Sequence, residues 1–249
     1  KVLHFLTQPD VVSSQQLGDD WSVTALLDAI ATAEPPYHAL IDTGALITGF
    51  TNYEVATYLL TNGLESMDGV VYLDADDRKM ILLREGMKSM QLEQSGLPWG
   101  RRFTFYDQVH TTGMDIKQVL NAQAVCTLGK DMTFRDYAQG TFRMRGIGQG
   151  QRIKLFIVPE LYRLILTQVG AGLGISKDEV QRTLDALPPA ARDAQLIKHV
   201  CAWLFINGMK SEKTQFNLLC EQSVSNVWRK KAYRHLMEHA EEVGSASCT

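Results

Sequence analysis

No phosphate-binding loop of the form Gly-x-x-x-x-Gly-Lys-[Ser/Thr] occurs in this chain of 249 residues. Gly129-Lys130-Asp131 lacks both the first glycine at the required spacing and the hydroxyl. The chain therefore holds at most half of any nucleotide site. It has no apolar run near the ~18 residues that span a bilayer, no signal peptide, no internal repeat and no low-complexity tract. Its four cysteines, Cys126, Cys201, Cys220 and Cys248, are far apart and include no Cys-x-x-Cys pair. That spacing argues against a disulfide framework and for a reduced, intracellular setting, cytoplasmic or nuclear. Charge of one sign is also lacking: 25 basic against 28 acidic residues leave a formal charge of -3. No global attraction to nucleic acid is built in, and a local basic patch would have to supply it.

What remains is ordinary globular material, 45% apolar and 21% charged, enough for one large α/β domain with a helical addition. The first residue is Lys1, and Val2-Leu3-His4-Phe5-Leu6 already reads as a strand or buried segment. The chain is expected to be an internal piece of a much larger protein.

Alternating strand and helix signals follow. A helix capped by Ser22 runs to about Ala33 and stops at Pro35-Pro36. His38–Asp42 reads as a strand running into Thr43-Gly44. Thr51 and Glu54 form a capping-box pattern for a helix that Gly63 ends. Residues 69–73 and 80–83 flank an aspartate-rich turn, as a hairpin would. Strands are expected at 103–106, 124–128 and 153–158, with a helix from Thr133 to about Met144. Beyond Pro159 the pattern is helical, with a cap at Ser176 and a break at Pro188-Pro189. The expected fold is α/β, a largely parallel sheet with helices on both faces, followed by an α-helical C-terminal addition. Its parts are a connecting segment over 1–36, a lobe over 37–160 and helices over 161–249.

The informative stretch is Tyr106–Val158. A strand ends at Asp107-Gln108-Val109-His110-Thr111-Thr112-Gly113-Met114-Asp115-Ile116; the next ends at Gly129; a helix then presents Gln139, Arg143 and Arg145 ahead of Gly146-Ile147-Gly148-Gln149. Loops at strand ends of an open parallel sheet form a ligand crevice. A turn with hydroxyls, a flexible glycine and a carboxylate, met by two guanidinium groups, suits a polyphosphate, because arginine matches phosphate oxygens bidentately.

These residues resemble the last two motifs of superfamily 2 helicases. Gly113-Met114-Asp115-Ile116 looks like their Gly-x-Asp-Ile element. Gln139-x-x-x-Arg143 with Ile147-Gly148-Gln149 looks like their final glutamine–arginine helix, in the form seen in chromatin-remodelling ATPases. The resemblance implies a RecA-like second lobe, with Gln139, Arg143 and Arg145 in catalytic roles and Thr112, Gly113 and Asp115 facing the cofactor. That cofactor would be ATP with magnesium, held with a preceding RecA-like lobe of the same parent protein. The family places its second arginine seven residues after the glutamine; here Arg145 stands six after it and Gly146 takes the usual place. On this reading the fragment alone neither hydrolyses ATP nor unwinds a duplex.

Residues 38–160 also look like a family of very long eukaryotic proteins labelled ubiquitinyl hydrolase or ubiquitin thioesterase-like. The match is carried by Ala39–Ala45, Val71–Asp74, Tyr106–Asp115, Val125–Gly129 and Gln139–Gln151. That family usually has Arg where this chain has Thr112 and Glu where it has Gln108. The resemblances imply ubiquitin or nucleic acid as partners, and the lack of a long apolar run argues for no membrane. Two alternatives stand beside the nucleotide reading. One is a thiol-dependent deubiquitinase segment, with Cys126 or Cys220 as nucleophile and a histidine as base. The other is a degenerate lobe kept as a scaffold.

Two further patterns read more blandly. His235-Leu236-Met237-Glu238-His239 has the H-x-x-E-H form of some zinc peptidases, but no third ligand stands well downstream, so it reads as a charged helix. Arg229, Lys230, Lys231 and Arg234 beside Trp228 and Tyr233 read as the wet face of a helix.

Overall fold

The computed structural model describes residues 2–111 and 113–246. Thr112 and Cys248 lie outside the described residues. The chain is α/β, built on one eight-stranded sheet. Its strands are β1 (Val12–Gln16), β2 (Ala39–Ile41), β3 (Gly69–Leu73), β4 (Lys79–Leu83), β5 (Lys88–Gln91), β6 (Arg102–Tyr106), β7 (Gln123–Thr127) and β8 (Arg152–Ile157). They lie in the order β1-β8-β7-β2-β6-β3-β4-β5. All pairings are parallel except β3 with β4 and β4 with β5. The expected hairpin is thus present, and β5 extends it by a third antiparallel strand.

Period-2 alternation sends successive side chains of each strand to opposite faces. Leu40, Phe103, Phe105, Val125 and Phe156 point to one face. There they meet Leu26, Leu27 and Ile30 of α2 (Val23–Ala31), and Val55, Ala56 and Leu59 of α3 (Asn52–Asn62). Ile41, Tyr106, Cys126, Ile153, Leu155 and Ile157 point to the other. That face is covered by α4 (Phe134–Thr141), α5 (Pro159–Leu173), α6 (Lys177–Asp185) and the start of α7 (Pro189–Ala246). Burial on both faces explains why the central strands read as continuous apolar runs.

The helix starts follow their caps. Ser22 accepts from the Ala25 N–H at 3.1 Å, and Thr51 with Glu54 and Thr133 with Asp136 close full capping boxes. The C-terminal end of α3 is held by Arg84, whose guanidinium donates to the carbonyls of Leu60, Gly63, Leu64 and Met67 at 2.7–3.0 Å. Those carbonyls lie at or just past the end of the helix, where backbone acceptors go short of partners.

Three elements depart from the sequence expectation. Residues 2–6 form a short helix, α1 (Val2–Leu6), not a strand; only Leu6 is buried, so the alternation that a strand needs is missing. Residues 12–16 carry little apolar signal yet form the edge strand β1. Its backbone pairs with β8, and its Ser14 donates from N–H and hydroxyl to Asp193. The stretch expected to be a connector, 1–36, therefore contributes β1 and α2 to the sheet assembly. The third departure is α4, which ends at Thr141 instead of near Met144, so Arg143 and Arg145 leave the helix and lie in the turns behind it.

The chain divides into two compact units, 1–207 and 208–249. The first holds the sheet and its covering helices. In the second, the described side chains on α7 are exposed, including Met209, Phe216, Leu219 and Trp228. Lys231 sits 5.4 Å from the centroid of the Trp228 ring. Among the described residues, no helix is long and apolar enough to cross a membrane.

Candidate functional site

The parallel strands β2, β6 and β7 end side by side in the middle of the sheet, and their following loops form one surface. The loop after β2 is fixed from below by Asp42. Its buried carboxylate accepts from the Leu46 N–H and the Thr127 hydroxyl through Oδ1 (3.0 and 2.6 Å), and from the Ile47 N–H through Oδ2 (3.0 Å). Burial pushes the Asp42 carboxyl up from its ordinary value, with Asp107 adding to the rise, while these three donors pull the other way. Thr127 in turn accepts from the Gly44 N–H at 2.9 Å.

The loops after β2 and β7 touch backbone to backbone. A Cβ on Gly44 would stand 2.5 Å from the Leu128 carbonyl carbon, and one on Gly129 would stand 2.8 Å from the Gly44 oxygen. Two glycines are needed for that approach. Two cavities open on either side of this ridge. One, of about 520 Å³, is polar and is lined by Thr43, Gly44, Gln108, Thr111, Lys130 and Gln139 among others. The second, of about 560 Å³, is mainly apolar and is walled by Trp21, Leu46, Leu128, Leu161 and Leu164. Trp21 there donates to Glu160 at 3.1 Å.

The loop after β6 begins with a 3-10 turn at Gln108–Thr111. It then passes through Gly113, whose φ of 81° is in the left-handed region and whose Cβ position is open space. The buried Tyr106 hydroxyl donates to the Ile116 carbonyl at 3.3 Å. Burial raises the Tyr106 phenol to about 12, so it stays a donor.

The residues singled out from sequence fall into two groups. Gly113, Asp115, Arg143 and Arg145 come together. The Arg143 Nη1 donates to the Met114 carbonyl, and Arg145 Nε lies 3.2 Å from Asp115 Oδ1. Arg143 is partly buried, its Nε has no partner, and burial followed by the neighbouring Arg145 lowers its pKa. Arg145 and Asp115 are both largely exposed. Gln139 lines the polar cavity instead, beside Gln108 and Thr111. Thr112 lies outside the described residues.

Cys126 is fully buried, 3.1 Å from the Thr43 hydroxyl, and burial pushes its thiol up to about 12. Cys201 is likewise buried and raised to about 12. Cys220 is exposed on α7. A nucleophilic cysteine needs the opposite shift. The rings of His235 and His239 lie 4.4 Å apart and tilted by 53° on α7, and among the described residues no three potential ligands of the His, Cys, Asp and Glu types converge on a metal position.

Two participants were not singled out as site residues from sequence. Asp77, in the β3–β4 turn, lies 2.8 Å from His110 Nε2, and Lys79 Nζ donates to the Asp115 carbonyl at 2.9 Å. The only sequence signal was the run of aspartates after β3. Nothing in it pointed across the sheet end to the loop after β6.

Comparison of the chain with protein-family models, with curated proteins and with solved structures found no match.

Proposed function

We propose that this chain is the second, RecA-like lobe of a two-lobed nucleotide-driven module within a larger protein of the ubiquitinyl hydrolase-labelled type. The observation that carries the reading is the meeting of Arg143 and Arg145 with the Gly113–Ile116 loop, beside the C-terminal ends of central parallel strands. Open α/β sheets bind ligands at that edge, and phosphoryl transfer is assisted by guanidinium charge placed against the phosphates.

The residues fit a polyphosphate as half of a site. Gly113 leaves room for close approach. Arg145 is exposed, and its one carboxylate partner is itself solvated, so a phosphate could replace it. Arg143 is tied to the loop after β6 through the Met114 carbonyl, which suits it to holding Met114 and Asp115 in place; the reaching arginine is then Arg145. The magnesium carboxylate and the phosphate loop would belong to the preceding lobe. The two lobes would close on the bound nucleotide, which with its magnesium would supply the phosphoryl group transferred to water. Nucleic acid and ubiquitin are the partner classes consistent with this reading.

The test is ATP binding and turnover by the parent protein with both lobes, against Arg145→Ala. Loss of about three orders of magnitude in turnover, the usual effect of removing an arginine finger, with unchanged folding, supports the reading. Turnover unaffected by Arg145→Ala and Arg143→Ala refutes it.

The same contacts favour a second reading, a scaffold lobe in which both arginines serve only to hold the loop. It requires that the parent bind no nucleotide. The thiol-dependent alternative gains nothing from the described cysteines, two of which are buried with raised pKa values.

A further inference from the structure

His110 is buried at the end of β6, and each of its ring nitrogens faces a carboxylate. Nδ1 is 2.5 Å from Asp107 Oδ1 and Nε2 is 2.8 Å from Asp77 Oδ1. A neutral imidazole has one N–H, so only the imidazolium satisfies both carboxylates as a donor. Asp77 reaches this position from the β3–β4 turn with a φ of 59°, a left-handed conformation that aspartate tolerates better than most residues. Asp107 and His110 belong to the loop after β6, so the bridge joins two separate elements. Lys79 to the Asp115 carbonyl joins the same two elements further along.

We propose that His110 is a positioning residue: charged, it ties the loop carrying Gly113 and Asp115 to the β3–β4 turn; neutral, it lets go of Asp77 and leaves that loop held by Tyr106, Lys79 and Arg143. The consequence for nucleotide binding rests on the proposed function above. The coupling between proton and loop does not.

Asp77 is the partner released. It is 70% exposed against 19% for Asp107, so water replaces its hydrogen bond readily. Asp107 stays, three residues before His110 on the same turn, and its carbonyl also accepts from the His110 N–H at 3.0 Å. Asp77 and Asp107 touch the ring. Asp42, just past the end of β2, feels the charge of Asp107. Lys79, on β4, is engaged with the Asp115 carbonyl, and Arg78 pairs with Asp74 and Asp76 in the turn. Burial disfavours the imidazolium, but the two carboxylates outweigh it, and the His110 pKa is raised above its ordinary value. A raised folded value means that the bridge is complete below the ordinary histidine range, about 6.5, and is lost as pH rises through the folded value.

The test is an NMR titration of the His110 ring in the full chain, with hydrogen-exchange protection factors for amides 108–116 measured across the same pH range. The expected result is a several-fold fall in protection of those amides, and not of β7 or β8, with the midpoint of His110. Asp77→Asn, which keeps the left-handed turn accessible, is expected to lower both midpoints together. Protection that stays flat through the His110 titration overturns the proposal. So does an Asp77→Asn chain in which the ring midpoint moves and the loop transition does not. If Asp77→Asn fails to fold, the wild-type titration alone still decides. In the two-lobed parent, nucleotide affinity should fall several-fold through the same midpoint. A parent that binds no nucleotide would remove the proposed function and leave the loop titration standing.

Discussion

Replacing Asp42 separates the two ways a buried carboxylate can act. Its three donors divide unevenly, with Leu46 N–H and the Thr127 hydroxyl on Oδ1 and Ile47 N–H on Oδ2. In Asp42→Asn the amide oxygen can serve only one side. If it keeps the Oδ1 side, the Ile47 N–H faces an NH2 group. If it turns, Ile47 is satisfied and Thr127 can accept from the amide, but the Leu46 N–H is orphaned. Either way one buried backbone donor is lost, a cost of about 1–3 kcal/mol. Asp42→Ala orphans all three donors at a position only 2% exposed, and the cost rises to roughly 3–6 kcal/mol. That is a large part of the ~5–15 kcal/mol by which domains are stable. The assay is urea unfolding of the full chain, comparing midpoints at unchanged slope. Because burial raises the Asp42 pKa, burying its charge subtracts stability above the unfolded carboxyl value, and lowering the pH through the folded value relieves this. The difference between wild type and Asp42→Asn should therefore grow in favour of wild type on acidification. Equal costs for the two variants, or both within about 0.5 kcal/mol of wild type, would refute the assignment of three working donors.

Arg84→Met should destabilise the chain by about 2–4 kcal/mol in the same assay, since charged hydrogen bonds to the carbonyls of Leu60, Gly63, Leu64 and Met67 disappear together. Arg84→Lys should recover little of this, because one ammonium cannot span four acceptors. Among the described cysteines, Cys220 should alkylate quickly in the folded chain, while Cys126 and Cys201 should react only on unfolding, as peptide mass spectrometry would show. Rapid labelling of Cys126 would reopen the thiol chemistry. Arg145→Ala should leave the melting temperature within a degree or two, given its exposure, whereas Arg143→Ala should lower it by several degrees by freeing the Met114 carbonyl.

Where side chains alternate or cap, the sequence was readable. Ser22, Thr51 and Thr133 mark helix starts that the backbone uses, and residues 39–41, 69–73, 102–106 and 152–157 lie in strands where apolar runs placed them. β1 was not readable, because an edge strand held by backbone pairing with β8 has no need of apolar side chains, and Val-Ser-Ser-Gln-Gln offers one buried residue. Motif order grouped Gln139, Arg143 and Arg145 with Gly113 and Asp115; Gln139 instead lines the polar cavity, and the tether from Asp77 and Lys79 was not expected. Contacts between a hairpin turn and a loop some thirty residues later leave no local periodic trace.

The register of the outermost parallel pair bears on how the chain is made. Val12 lies against Ile153 and Gln16 against Ile157, so the first of these eight strands to be synthesised pairs only with the last. Until β8 has been synthesised, residues 12–16 have no strand partner, and the sheet can assemble from β2 outward but cannot finish at that edge. Closing so long a loop carries an entropic cost that local contacts do not offset. Topologies of this kind fold slowly and leave strand edges open to other chains. The polar composition of β1 then acquires a meaning of its own: a strand that must wait for its partner is safer with serines and glutamines than with valines and isoleucines.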